Sequence, residues 1–272
     1  VVMAGHLFGV SAETGSMLWE GDPKKTAGSH SSPVVWNASA GPRVVVNLNG
    51  GVTGCFDPQD GRELWRAATE GGLSTPIVVG DRLLTYGNSR KKGLRCFQLS
   101  DSGAEELWQF HGAQDKGSSP VVLDGHVFVQ GEKRVACVNL ETGDADWTGE
   151  LDLASPQYTS LIAADGKVFY AYDGLTAFQA TPESFVPCLQ ARFNSEGLMA
   201  SDATHRRLLD LDTIEQRPDG QEQALRVYDR AVSRHGPLKC ATPAIADGRL
   251  YLRMNDALVC YDLRRETVDG NR

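Results

Sequence analysis

The chain has 272 residues, of which 41% are hydrophobic and 23% charged, with a formal net charge of -8; it is long enough for a large core in one domain. No Lys/Arg cluster exceeds Arg90-Lys91-Lys92, which excludes a nucleic-acid partner held through phosphates. No apolar run approaches the roughly 20 residues of a membrane helix.

In chain order, Val1-Val2-Met3-Ala4 reads as a strand inside a repeat, so the natural N-terminus and any signal peptide are expected to lie outside this sequence. Strand fragments follow up to Trp19. A repeat opens at Ser31-Ser32-Pro33-Val34-Val35, runs through Arg43–Asn47, turns at Asn49-Gly50-Gly51 and closes through Cys55 and Trp65. Its sequels open at Ser74-Thr75-Pro76 and Ser118-Ser119-Pro120, each followed by a tight turn, Gly80-Asp81 or Asp124-Gly125, and a second apolar strand. A further opening is Tyr158-Thr159-Ser160-Leu161, with its turn at Asp165-Gly166 and no Trp after it. Residues 181–240 then overlay weakly on the earlier repeats: Ser195–Asp202 on Ser74–Asp81, and Leu225-Arg226-Val227-Tyr228 on Leu94-Arg95-Cys96-Phe97. This predicts a degenerate blade with a long hairpin around Arg217-Pro218-Asp219-Gly220, and short helices only over Thr181–Arg192 and Asp202–Asp212. The last repeat opens at Ala241-Thr242-Pro243 and ends at Leu258-Val259-Cys260-Tyr261.

One motif unites these pieces. Cys137-Val138-Asn139-Leu140-Glu141-Thr142-Gly143-Asp144-Ala145-Asp146-Trp147 shares its spacing with Cys55 to Trp65 and Gly9 to Trp19, and Cys96 to Trp108 is a copy stretched by two residues. Physically it is a strand ending on a small residue, a turn closed by a Gly able to take positive φ, and a second strand ending in Trp. An indole repeated once per repeat wants a neighbouring repeat to pack against, which makes Trp19, Trp65, Trp108 and Trp147 docking residues.

This pattern, small-x-Asp/Asn-x-x-Thr/Asp-Gly-x-x-x-Trp with Ser-x-Pro-Val-Val openings, resembles the tryptophan-docking motif of the pyrroloquinoline-quinone-type β-propeller family. The resemblance implies an all-β fold, a single propeller domain over 1–272 built of four-stranded antiparallel blades. Seven blades with the terminal one incomplete are expected, six or eight being the alternatives. The family contains dehydrogenases, assembly scaffolds and sensor domains on one frame, so fold alone does not set function.

Of the six cysteines, Cys55, Cys96, Cys137 and Cys260 fall in the small-residue slot that Gly9, Ala177 and Val227 occupy in other copies. They read as buried, unpaired small hydrophobes, since equivalent slots on sheets about 10 Å apart cannot meet disulfide geometry. Cys188 and Cys240 lie outside the slot.

By resemblance, a quinone-dependent enzyme would need a Trp floor, a cation held by oxygen ligands, a carboxylate base and often an adjacent-cysteine disulfide. The sequence has no Cys-Cys pair, and only Trp36 lies outside the docking slot. Its turn carboxylates Asp81, Asp124, Asp165 and Asp247 read as turn formers. There is no nucleophile elbow, phosphate-binding loop or His-Glu-x-x-His, and no catalytic residue or metal ligand is assigned. In this kind of fold the loops before each opening lie near the axis. They would supply His30, Ser31, Lys116, Gln157, Tyr158 and Lys239 as a channel-mouth ring able to meet a protein partner or a small anionic or sugar-like ligand.

The reading is therefore a non-catalytic binding or scaffolding module, periplasmic or otherwise extracytoplasmic by resemblance, with no cofactor. The alternatives are a dehydrogenase using pyrroloquinoline quinone with calcium, and a sensor domain of a larger signalling protein.

Overall fold

The computed structural model describes residues 2–3, 6–26, 30–151 and 158–264. Among them are six antiparallel sheets, each with its strands side by side in chain order. Two compact units are present, one comprising residues 1–161 with 181–185, the other 162–180 with 186–272.

The first unit holds four sheets. They are Val2–Met3, His6–Val10, Met17–Glu20; then Val34–Ala38, Gly41–Leu48, Val52–Phe56, Glu63–Ala68; then Ile77–Val79, Arg82–Tyr86, Leu94–Ser100, Gly103–Phe110; and Val121–Leu123, His126–Gly131, Arg134–Asn139, Ala145–Glu150. Four-stranded meanders of this kind are the blade unit expected from the repeats. Their apolar faces meet between successive sheets: Leu84, Leu94 and Trp108 against Val127, Val129 and Leu140, for example.

Register explains the recurring small residue. Each slot residue lies directly opposite its Trp: Gly9 opposite Trp19, Cys55 opposite Trp65, Cys96 opposite Trp108, Cys137 opposite Trp147. The ladder shifts by one residue immediately after the slot in every case, a bulge that increases local twist and re-aims the following side chain. At Gly9 a Cβ would overlap the Trp19 indole, so the slot is small because the ring occupies its space.

The indoles do dock onto the next turn. Trp19 Nε1 donates to Pro58 O at 2.8 Å, Trp108 Nε1 to Leu140 O at 3.0 Å, and Trp147 Nε1 to Thr181 O at 2.7 Å. The turn glycine is required by the same packing, since Gly143, at φ 79°, has its would-be Cβ inside the Trp108 ring. Trp65 is buried, yet its Nε1 has no acceptor among the described residues. The matching carbonyl, Leu99 O, lies in the stretched copy, where the hairpin runs on to pair Ser100 with Gly103 and Leu99 O takes the Gln98 amide instead. Trp147 is half-buried, sandwiched by Phe128 and Phe185.

The second unit corrects the expected degenerate blade. Residues 187–193, read as part of a short helix, form the fourth strand of the sheet Ile162–Ala164, Lys167–Ala171, Leu175–Gln179, Pro187–Phe193, with Met199–Ala200 added at its edge. Leu189 stands opposite Ala177, in the register that Trp holds elsewhere. Residues 202–233 are helical: α1 (Asp202–Leu208), α2 (Leu211–Glu215), α3 (Gly220–Tyr228) and a π-helical turn at Asp229–Ser233. Ser201 caps α1 by accepting from Thr204 N, and His205 is buried with Nε2 at 3.2 Å from Arg192 O. Asp210 and Asp219 take left-handed φ values of 50° and 57°, which separate the helices. The expected hairpin at Arg217–Gly220 is thus a turn between helices, and Val227 lies in a helix rather than in a slot. The N-terminal fragment has its own three-stranded sheet, and it is the degenerate blade that has none among the described residues, so six sheets stand where seven blades were expected.

The sixth sheet is Ala244–Ala246, Arg249–Arg253, Leu258–Asp262. Its third strand has no fourth strand beside it among the described residues, so Cys260 is exposed, not buried as expected. All six cysteines are free; Cys55, Cys96 and Cys137 are buried, and Cys188 and Cys240 are exposed. Burial pushes the Cys55 and Cys137 thiols up to about 12 and Cys96 to about 11, from 9.0 when exposed. A group whose folded pKa is raised contributes stability below its unfolded pKa and loses it above. The thermal midpoint is therefore expected to fall from about pH 9 upward, less steeply in Cys137→Ala. Equal slopes in both proteins would contradict the buried-thiol assignment.

Candidate functional site

The openings are more than strand starts. Ser32 N donates to Thr75 Oγ1 at 3.2 Å, Thr75 N to Ser119 Oγ at 3.0 Å, and Ser119 N to Ser160 Oγ at 3.0 Å. Each stands just before the Pro or Leu that precedes the first strand of its sheet. The hydroxyl therefore reaches back to the same position of the preceding sheet and satisfies a backbone donor that a following proline leaves without a ladder partner. This belt fixes the spacing of the inner strands in the first unit.

Above the belt sits a residue absent from the expected ring. Asp115 is 6% exposed, and its Oδ1 accepts from Gly117 N at 2.8 Å, Ser118 N at 2.6 Å and Tyr158 N at 3.1 Å. Its Oδ2 is buried without a partner among the described residues. Asp-Lys-Gly-Ser is an Asx-turn pattern; that signal was present in the sequence, but the reach to Tyr158 was not.

The expected ring residues divide accordingly. Lys116 and Tyr158 are both exposed and brought together by Asp115, with Tyr158 at φ 61° and its ring lying over Gly117. His30 is exposed, and Ser31 is buried at 2%. Gln157 lies outside the described residues. Lys239, in the second unit, stands 5.3 Å from the centroid of the Tyr172 ring, a cation-π contact within that unit.

The indole that the sequence leaves over for a quinone floor is engaged elsewhere. Trp36, the one indole outside the docking slot, is 3% exposed in the core shared with Val45, Trp65 and Leu83, and donates Nε1 to Asp81 Oδ1 at 2.9 Å. That ring is therefore committed to the core and to its bond with Asp81. Among the described residues no three His, Cys, Asp or Glu side chains converge as a metal site. One group has a catalytic look: Cys137 Sγ is 3.7 Å from Asp146 Oδ2, which is 3.6 Å from His126 Nε2. The carboxylate sits between thiol and imidazole, and burial holds the thiol protonated, so no nucleophile is activated. No helix among the described residues is long and apolar enough to cross a membrane.

A profile of the family described as outer membrane protein assembly factor BamB matches residues 4–116 and 92–269. Among solved structures, BamB from Moraxella catarrhalis is similar with a TM-score of 0.58 at 17% identity, covering 94% of this chain and 78% of that one. The quinohemoprotein alcohol dehydrogenase ADHIIG from Pseudomonas putida HK5 gives 0.51 at 12% identity, over 93% of this chain and 50% of the dehydrogenase. At such identities both likenesses carry the fold alone. The serine/threonine-protein kinase AfsK of Streptomyces coelicolor is 24% identical over 119 residues, 42% of this chain and only 14% of the kinase. The family profile runs over most of the sequence, and the docking geometry recurs from sheet to sheet. The chain accordingly belongs to the BamB-type family of β-propellers with quinoprotein-like repeats.

Proposed function

We propose that the chain is a non-catalytic propeller acting as an extracytoplasmic binding or scaffolding module in outer membrane protein assembly, and that it uses no quinone. The observation that carries this reading is Trp36: the indole a quinone would need as a floor is buried between sheets and hydrogen-bonded to Asp81. A tricarboxylate quinone also brings negative charge to a chain of net charge -8, which calls for a bound cation and clustered Arg or Lys. The exposed pair Lys116 and Tyr158, on loops fixed from below by Asp115, is the surface offered to a protein partner; rigid aromatic and basic groups of this kind anchor interfaces.

Titration with pyrroloquinoline quinone and calcium is expected to give no saturable absorbance change and no dye-coupled alcohol or sugar oxidation. Saturable micromolar binding, lost in Trp36→Ala, would replace this reading with the dehydrogenase. A photo-crosslinker at Tyr158 is expected to capture a component of the outer membrane protein assembly machinery, and Lys116→Glu to reduce the yield.

The kinase similarity favours a second reading, a sensor domain within a larger signalling protein. It is distinguished by whether a kinase occupies the same natural polypeptide.

A further inference from the structure

The second unit contains a cavity of about 460 Å³ that is lined by none of the expected ring residues. Three turns wall it: Asn194–Gly197, Arg234–Gly236, and Met254–Ala257, with Val259 beside the last. Each turn is held in place by the backbone or by its neighbours. Asn194 Oδ1 accepts from Glu196 N and Leu198 N, Ser195 N donates to Ala231 O at 3.1 Å, and Tyr261 OH donates to Gly197 O at 2.8 Å. Met254 N donates to Ala257 O at 2.8 Å, closing the hairpin that presents Asn255 and Asp256.

The chemistry of the lining is one-sided. Met254, 7% exposed, with Ala257 and Val259 supplies an apolar floor. Its one arginine, Arg234, is paired with Asp229 at 2.8 Å. His235 has Nε2 at 3.1 Å from Arg230 O, a carbonyl to which Nε2 donates. Glu196, Asn255 and Asp256 have no hydrogen-bond or ion-pair partner for their side chains among the described residues. The cavity thus has two carboxylates without a partner among the described residues, an apolar side, and its one arginine already paired.

We propose that this cavity binds a guanidinium or primary ammonium group carried on a short apolar stem, the stem on Met254 and Val259 and the cation between Glu196 and Asp256. Charge-assisted hydrogen bonds to two carboxylates are the strongest available here, and the stem covers apolar surface as Lys and Arg stems do. The inference goes beyond the scaffold reading and stands without it, since a scaffold, a sensor or an enzyme could each carry such a site.

The test uses the whole chain and three probes: agmatine, a blocked Gly-Arg-Gly peptide, and glutarate as an anionic control, followed by calorimetry. Saturable binding of agmatine or the peptide, and none of glutarate, is expected. Glu196→Gln and Asp256→Asn should each weaken it about tenfold, and Asn255→Asp, which adds a carboxylate, should tighten it. All three positions lie in exposed turns, and circular dichroism checks the fold. A peptide at least tenfold tighter than agmatine assigns the site to a partner's arginine side chain, and comparable affinities assign it to a free cation. No saturation with either cation, equal binding of glutarate, or a Glu196→Gln/Asp256→Asn protein that binds as the parent does would overturn the proposal.

Discussion

Trp108→Ala is expected to lower stability by about 3–5 kcal/mol, the cost of a large-to-small change in a packed core, and to drop Tm by roughly 10 °C. The ring is 9% exposed, packs over Gly143, lies in one core with Val127 and Leu140, and gives its Nε1 to Leu140 O. Deleting it removes the dispersion contacts between two sheets and leaves a void that the rigid turn at Gly143 cannot close. Phe substitutions separate packing from hydrogen bonding. Trp108→Phe loses a made bond, worth about 1 kcal/mol, as well as some ring volume. Trp65→Phe removes an Nε1 that is buried without an acceptor, so its polar part is neutral or favourable, because an unsatisfied buried donor costs about 1–3 kcal/mol. Trp65→Phe is therefore expected to cost less than Trp108→Phe. The reverse order in chemical denaturation would refute the account of the stretched copy between Cys96 and Trp108.

The docking frame was legible because it rests on two residue types whose physics is local. A Gly at positive φ closes the turn and a small residue faces an indole, so both requirements survive as identities at fixed spacing. Trp19, Trp108 and Trp147 do in the structure what the spacing implies, whereas Trp65, expected to dock as they do, meets the stretched copy and has no acceptor for Nε1 among the described residues. The segment after Asp212 was misread for a physical reason. Overlaying Leu225–Tyr228 on Leu94–Phe97 used composition alone, whereas a strand reading needs period two and a slot opposite a Trp. Neither was present: the buried residues there include Leu211, Ala224 and Val232, at helical rather than strand spacing, and the helix expected over Asp202–Asp212, with Ser201 as its cap, in fact continues through α3. The mouth was harder. Lys116 and Tyr158 were named as neighbours of an axis, but what joins them is a carboxylate accepting backbone N–H groups from two repeats. A side chain that acts on distant backbone leaves no spacing in the sequence.

Asp115→Ala is the second large effect. Its Oδ1 is the acceptor for Gly117 N, Ser118 N and Tyr158 N, so truncation strands three backbone donors in a site where Asp115 is 6% exposed and Ser118 1%. At about 1–3 kcal/mol for each unsatisfied buried donor, offset by water entering beside the exposed Lys116, the net loss should be roughly 3 kcal/mol. Asp115→Asn keeps an acceptor oxygen in place and forfeits only the charge, so it should lose about half as much. The local consequence distinguishes this role from general packing. Tyr158 is a non-glycine residue at φ 61°, a conformation costing about 1–2 kcal/mol that persists only while something holds it. With the carboxylate gone, Tyr158 is expected to relax away from Gly117. The amides of Gly117, Ser118 and Tyr158 should then exchange faster in Asp115→Ala, while those of the sheet pair Val127–Val138 stay protected. Crosslinking from Tyr158 to a partner should fall in Asp115→Ala and be largely restored in Asp115→Asn. Unchanged exchange at those three amides would show that the loops hold themselves, and the mouth would then lose its claim to be a built surface.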